Sequence, residues 1–247
     1  MARFHCPLPL HPNRVVTLPD GVARHAVGAL RLREGETVTL FNGDGHEYEG
    51  VLLTGGQTAV RLLARHTPER ESPLRVVLAQ GISSGERMDL TVQKSVELGV
   101  IALQPLSMRR TIVRLAGDKQ EKRRAHWQAV VVSACEQCGR NLVPEVRPIL
   151  DFDVWRRGLT GLGGLGLMLD PEAEVALGDL PRPGREIILL AGPEGGFDPA
   201  ERAAARASGF MGVRMGPRIL RTETAALAAL AAMQALWGDF RQAQSVP

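Results

Sequence analysis

Residues 185–237 read REIILLAGPEGGFDPAERAAARASGFMGVRMGPRILRTETAALAALAAMQALW, and this stretch decides the fold. The apolar run Ile187–Ala191 has the length and branching of a buried strand, and it meets a Gly-rich turn at Gly192–Gly196. Asp198-Pro199-Ala200-Glu201 then opens a short helix: an N-cap carboxylate, a proline at the first helical position and a glutamate placed for a capping box. A second short strand is expected over Gly212–Gly216, followed by another tight loop and a long helix. Seven of the eleven residues from Ala225 to Ala235 are alanine, which lets backbones approach closely and suits a core or a subunit contact. Two loops, each leaving the end of an apolar strand, are where α/β proteins hold small ligands.

The letters of the two loops restrict the ligand. Glycines allow positive φ and close approach of backbone groups, and Pro193 stiffens the first turn. Neither GxxxxGK[ST] nor GxGxxG is present after Ile187–Ala191, and Glu194 opposes a polyphosphate. A weakly charged or zwitterionic molecule held mainly by main-chain groups follows. In the second loop, Met215 to Thr224, Arg218, Arg221 and Glu223 crowd together with two hydroxyls. A capping and salt-bridge set would use the same residues, but their place beside a second Gly loop favours a site.

Moving outward, residues 74–171 alternate strands and helices. LRVVLAQGI reads as a buried strand, Glu86–Leu98 as a helix stopped by Gly99, IALQP as a short strand and Lys119–Cys138 as a long helix. An extended VPEVRPI, a short helix near Asp153, a Gly-rich loop at 158–166 and the strand LGLMLD follow. This order predicts a mainly parallel sheet covered by helices on both faces. Residues 1–72 differ: LREGETVTLFNGDGHEYEGVLL alternates around Asn42-Gly43-Asp44-Gly45, a hairpin signal, and a short helix fits near Gly21–Leu30. Thr67–Pro73 makes a linker, so the reading divides the chain into a β domain over 1–72 and an α/β domain over 73–247.

With 247 residues and 44% hydrophobic content the chain can bury a substantial core. It has no long uncharged apolar run and no signal-like start, so the expectation is a cytoplasmic protein without a membrane partner. Cys135 and Cys138 have metal-like spacing, but no second pair completes a zinc site. They fall instead on the helical stripe of Trp127, Val130, Val131 and Ala134, as buried thiols, and no metal is expected. Charge is uneven: residues 73–140 carry 11 Lys and Arg against 6 Asp and Glu, whereas residues 1–72 carry 8 of each. Arg109, Arg110, Lys119, Lys122, Arg123, Arg124 and Arg140 form either a phosphate-facing surface or a solvated helix face.

GPEGGF at 192–197, MGPRI at 215–219 and LRTETAALAAL at 220–230 resemble the knotted SPOUT class of S-adenosylmethionine-dependent RNA methyltransferases. More narrowly, the chain is similar to the bacterial RsmE family of 16S rRNA uridine-N3 methyltransferases. The likeness extends over FNGDG, RESPL at 70–74, GERMDLTVQKSVELGV at 85–100 and ACEQCGRNLVPEVRP at 134–148. One departure is Arg109, where the family usually has an acidic residue, so only Arg110 is carried over.

The resemblance implies a PUA-like β-barrel domain, then a SPOUT domain with a C-terminal trefoil knot, assembled as a homodimer. It implies S-adenosyl-L-methionine held by Leu169, by Gly192, Pro193, Glu194, Gly195 and Gly196, and by Met215, Gly216, Ile219 and Leu220. The implied reaction is methyl transfer to N3 of a specific uridine of 16S rRNA, with the assembled small ribosomal subunit as substrate. Arg221 and then Arg218 are the candidates to meet negative charge on the uracil edge, and Glu223 is either a general base or a capping group. Arg3, Arg14, Arg31, Arg110, Arg123, Arg124 and Arg140 are the candidates for RNA phosphates. The competing readings are a SPOUT methyltransferase for another rRNA or tRNA nucleoside, and a non-catalytic ribosome-assembly RNA-binding module.

Overall fold

The computed structural model describes residues 1–159 and 163–240. Part of the Gly-rich segment expected as a loop, residues 160–162, and the last seven residues of the expected second domain lie outside the described residues. The chain divides into two compact units, Met1–Glu71 with Val132–Val143, and Ser72–Val131 with Pro144–Pro247.

The first unit is a five-stranded sheet in the order β1-β3-β4-β5-β2, formed by β1 (Ala2–His5), β2 (Val15–Thr17), β3 (Thr37–Phe41), β4 (Glu47–Leu53) and β5 (Ala59–His66). The expected hairpin is present: β3 and β4 pair antiparallel across residues 42–46, where Gly43 and Gly45 adopt φ of 94° and 88°. β4 alternates half-buried and buried residues along its length, so one face enters the core of Phe4, Val38, Leu40, Tyr48, Leu52 and Leu62. The helix expected near residues 21–30 is α1 (Asp20–Ala23) running into a π-helical turn at Arg24–Ala29.

Residues 132–143 belong to this unit through polar side chains rather than through periodicity. Arg3 donates to Asn141 Oδ1 at 2.7 Å and to the Arg140 carbonyl at 3.1 Å, and the His5 N–H donates to Glu136 Oε1 at 2.9 Å. Arg140, 4% exposed, holds Glu71 at 2.6 Å. Where the sequence draws one boundary at the linker, the compact unit takes in a second, distant segment. Cys135 is buried and its thiol is pushed up to about 12 by that burial, which makes it inert packing.

The second unit contains a seven-stranded sheet. Its strands are β6 (Val76–Gly81), β7 (Ala102–Ser107), β8 (Glu145–Val146), β9 (Leu150–Asp151), β10 (Leu165–Leu169), β11 (Ile187–Ala191) and β12 (Met211–Val213). The order is β12-β10-β11-β6-β7-β8 with β9 also on β7, and every pairing is parallel. All six residues of β6 are buried, as a strand covered on both faces requires. Ala79, Leu106, Met168 and Leu190 meet Phe152 and Trp155 of α4 (Phe152–Gly158) and Ala205 of α5 (Pro199–Ala207) on one face. Leu78, Leu167 and Leu189, the alternating positions, are equally buried on the other face. There α6 (Thr222–Leu236) packs on β11 and against α2 (Gly85–Glu97).

Local signals hold at the element ends. Gly99 ends α2 with φ of 83°, and α5 begins with the capping box of Asp198 and Glu201. The long helix, α3, covers Asp118–Cys138. β12 is shorter than expected, ending at Val213, because its partner β10 ends at Leu169 and Arg214 bonds instead to Val175 and Leu177. α6 starts earlier than expected, at Thr222.

Candidate active site

Because β10, β11 and β12 are parallel and adjacent, their C-terminal ends share one edge of the sheet. A cavity of about 330 Å³ opens at that edge, within the range of small-molecule sites. Every residue that the resemblance implies for the cofactor lines it except Gly216, whose contribution is the turn itself.

The first turn is clamped against the end of β6. A Cβ on Gly81 would lie 2.5 Å from the Pro193 nitrogen, so the strand end and the turn are in direct backbone contact. Glu194 bends away from polyphosphate-type chemistry altogether: its Oε1 accepts from the Ser84 N–H at 2.7 Å and the Ser84 hydroxyl at 2.8 Å, with Arg87 at 3.4 Å. Burial pushes the Glu194 carboxyl up, but the Ser84 and Arg87 hydrogen bonds outweigh it and hold the group below the usual carboxylate range. On the other side a Cβ on Gly195 would meet Arg110 Cβ at 2.8 Å, while the Arg110 guanidinium donates to the Gly195 carbonyl at 3.2 Å.

The two candidate arginines of the second loop both line the cavity, and both are exposed. Neither guanidinium has a hydrogen-bond or ion-pair partner among the described residues. Glu223 does not line the cavity. Its carboxylate lies 4.0 Å from Arg87, and its Oε2 is buried without a partner among the described residues. Arg87 thus stands between Glu194 and Glu223.

The seven phosphate candidates separate into distinct environments. Arg14 and Arg31 are exposed, the latter at φ 55°, and Arg123 is half-buried. Arg110 belongs to the cavity wall. Arg124 is engaged with Glu121 and with the Val146 carbonyl. Arg3 is paired with Glu47 at 2.6 Å and stacked on Phe41, and Arg140 is buried on Glu71, so both are committed inside the first unit.

Several lining residues were not assigned to the site in the sequence reading. Asp170 and Pro171 extend the β10 end, Phe197 follows the first turn, and Thr222 and Ala225 open α6. Asp170 is 1% exposed and is met by Arg206 at 3.0 Å and Arg202 at 3.7 Å, and Arg202 itself lines the cavity. The run LMLD ending at a proline was the available signal for Asp170. Nothing local marks Arg202, which is one charge among others on an amphipathic helix.

Residues 70–234 match the family model described as the RNA methyltransferase domain, and residues 18–60 match the RNA methyltransferase PUA domain. A ribosomal RNA small subunit methyltransferase E from Buchnera aphidicola is 32% identical over 93% of this chain and 94% of its own length. The crystal structure of a ribosomal RNA small subunit methyltransferase E from Neisseria gonorrhoeae bound to S-adenosyl methionine superposes with TM-score 0.90 at 45% identity, covering 97% of this chain and 99% of that one. A Legionella pneumophila methyltransferase solved with the same cofactor gives 0.91 at 38% identity over 97% and 99%. A turn-lined cavity at the ends of three parallel strands, matched along nearly the whole chain, places this protein in the RNA methyltransferase family that includes the ribosomal RNA small subunit methyltransferases E.

Proposed function

We propose that this chain transfers a methyl group from S-adenosyl-L-methionine to N3 of a specific uridine of 16S rRNA in the small ribosomal subunit. The observation that carries the reading is a cavity walled by two backbone turns, with two guanidiniums, Arg218 and Arg221, at its edge that are unpaired among the described residues. The lining fits the cofactor: the turns offer main-chain groups for a nucleoside, and Arg202 offers a partner for the carboxylate of a zwitterionic tail. When bound, S-adenosylmethionine supplies an electrophilic methyl group.

The chain's own residues supply position and charge. N3 lies on the pairing edge of uridine, so the base reaches the cavity only when unpaired. Loss of its proton leaves negative charge on the uracil edge, and Arg221, then Arg218, meet that charge at the rim of the cavity. Glu223 has the task of holding Arg87, since its side chain does not line the cavity. Arg14, Arg31, Arg110 and Arg123 serve the RNA phosphates, with Arg124 reached through its pair with Glu121.

The proposal includes the trefoil knot, supported by β11 lying between β6 and β10 and by the second loop returning onto the first. It includes a homodimer, supported by α6, which carries no charged residue after Glu223 and leaves Leu236 37% exposed. It includes action in the cytoplasm, where ribosomes are assembled. Among the described residues no helix is long and apolar enough to cross a membrane.

The test is to incubate the purified chain and S-adenosylmethionine with small ribosomal subunits lacking the modification, then to analyse rRNA nucleosides by mass spectrometry. 3-Methyluridine is the expected product. A different methylated nucleoside would give the substrate to another RNA, and absence of any product together with no cofactor binding would leave only an RNA-binding module.

A further inference from the structure

Gln80 is the penultimate residue of β6 and is 1% exposed. Its Nε2 donates to the Gly81 carbonyl at 2.9 Å and stands 3.0 Å from Thr222 Oγ1 and 3.2 Å from the Gly192 carbonyl. Thr222, the first residue of α6, donates its own hydroxyl to the same Gly192 carbonyl at 2.6 Å. Gly192 is the first residue past β11, so the strand ladder offers its carbonyl no partner there, and a side chain must supply one. Three segments therefore meet at one oxygen: the end of β6, the first cavity turn and the end of the second loop.

We propose that Gln80 and Thr222 are positioning residues that lock the two cavity turns to each other through the Gly192 carbonyl, fixing the main-chain groups that receive S-adenosylmethionine. The proposal rests on the cofactor reading above. A hydroxyl suits the junction because it accepts from Gln80 Nε2 while donating to Gly192. Serine keeps both links, valine keeps the shape and loses both. Glutamate in place of Gln80 would set a carboxylate against the Gly81 and Gly192 carbonyl oxygens. The backbone contact of Gly81 with Pro193 brings β6 close enough for the short reach of Gln80.

The experiment compares the full chain with Thr222→Val, Thr222→Ser, Gln80→Met and Gln80→Glu. It measures the S-adenosylmethionine Kd by calorimetry, KM for cofactor and for RNA, kcat and the thermal midpoint. Thr222→Val should raise the cofactor Kd and KM about tenfold, the worth of one to two hydrogen bonds, and leave the RNA KM near that of the parent, with the midpoint lowered by only about a few degrees. Thr222→Ser should restore binding to about twofold of the parent, and Gln80→Glu should weaken it more than Gln80→Met. Should Thr222→Val not fold, Gln80→Met removes the amide links alone and is read in the same way. A folded Thr222→Val, or failing it Gln80→Met, that binds the cofactor within about twofold of the parent overturns the lock while the cofactor reading stands. A parent that does not bind the cofactor overturns that reading and the lock with it.

Discussion

The Glu194 carboxylate is fastened to Ser84, taking both the backbone N–H at 2.7 Å and the hydroxyl at 2.8 Å. The only acidic residue of the Gly-rich turn is thereby a staple between that turn and the start of α2. The group's folded pKa lies below the ordinary carboxylate value of about 4.3. The sign follows: ionised Glu194 stabilises the fold above its unfolded pKa, and the contribution is lost as pH falls through the depressed folded value. Glu194→Gln should therefore lower the thermal midpoint at neutral pH, and the gap to the parent should close as pH drops below about 4 in a thermal-melt series. A gap independent of pH would show that the charge does not matter there.

Arg221→Ala should lower kcat about 10²-fold with S-adenosylmethionine binding intact, and Arg218→Ala should lower it less. Both guanidiniums are exposed, so folding should be unaffected. Single-turnover methylation alongside calorimetry separates the effects. Full turnover in Arg221→Ala would remove that residue from the reaction.

Arg123→Glu should weaken RNA binding and lower the slope of log affinity against log salt by about one. Arg124→Glu should do less, because Arg124 is already neutralised by Glu121 at 2.5 Å. Filter binding between low and moderate salt reads both, and equal effects would show that the Glu121 pair opens on RNA.

Arg140→Ala should lower stability by about 2 kcal/mol or more, since it strands Glu71, while the salt slope of RNA binding stays at the parent value. The figure is set below that for a fully buried pair because Glu71 is 30% exposed. Chemical denaturation and the same binding series check it. An unchanged midpoint with weaker RNA binding would return Arg140 to the phosphate surface.

Gly81→Ala should cost about 1–3 kcal/mol and weaken cofactor binding together, because its Cβ would press on the Pro193 backbone at 2.5 Å and move the turn that lines the cavity. Thermal melts with and without S-adenosylmethionine measure the two effects. A smaller cofactor-induced shift in the variant is the expected sign of a displaced turn.

Local chemistry made much of this molecule legible in its letters. Ile187–Ala191 is a strand because an apolar run of that length, opened by two β-branched isoleucines, is followed by glycine. α5 starts where Asp198, Pro199 and Glu201 satisfy its first N–H groups, and the hairpin sits where Asn42-Gly43-Asp44-Gly45 permits positive φ. The two loops of the cavity were visible for the same reason, since glycine, proline and short spacing act within a few residues.

What tertiary structure alone decided is adjacency. That β11 pairs with β6 rather than β12, that Arg110 and Arg202 join the cavity wall, and that Gln80 reaches Thr222 across 142 residues are properties of strand order. Hydrophobic periodicity says which face of an element is buried but not against what, and a charged residue looks the same in sequence whether it meets solvent or a buried carboxylate. Arg140 and Arg218 are both arginines after a glycine-bearing turn. The first is sealed on Glu71 and the second lines the cavity with no partner among the described residues, because only the packed chain sets which charge finds a partner.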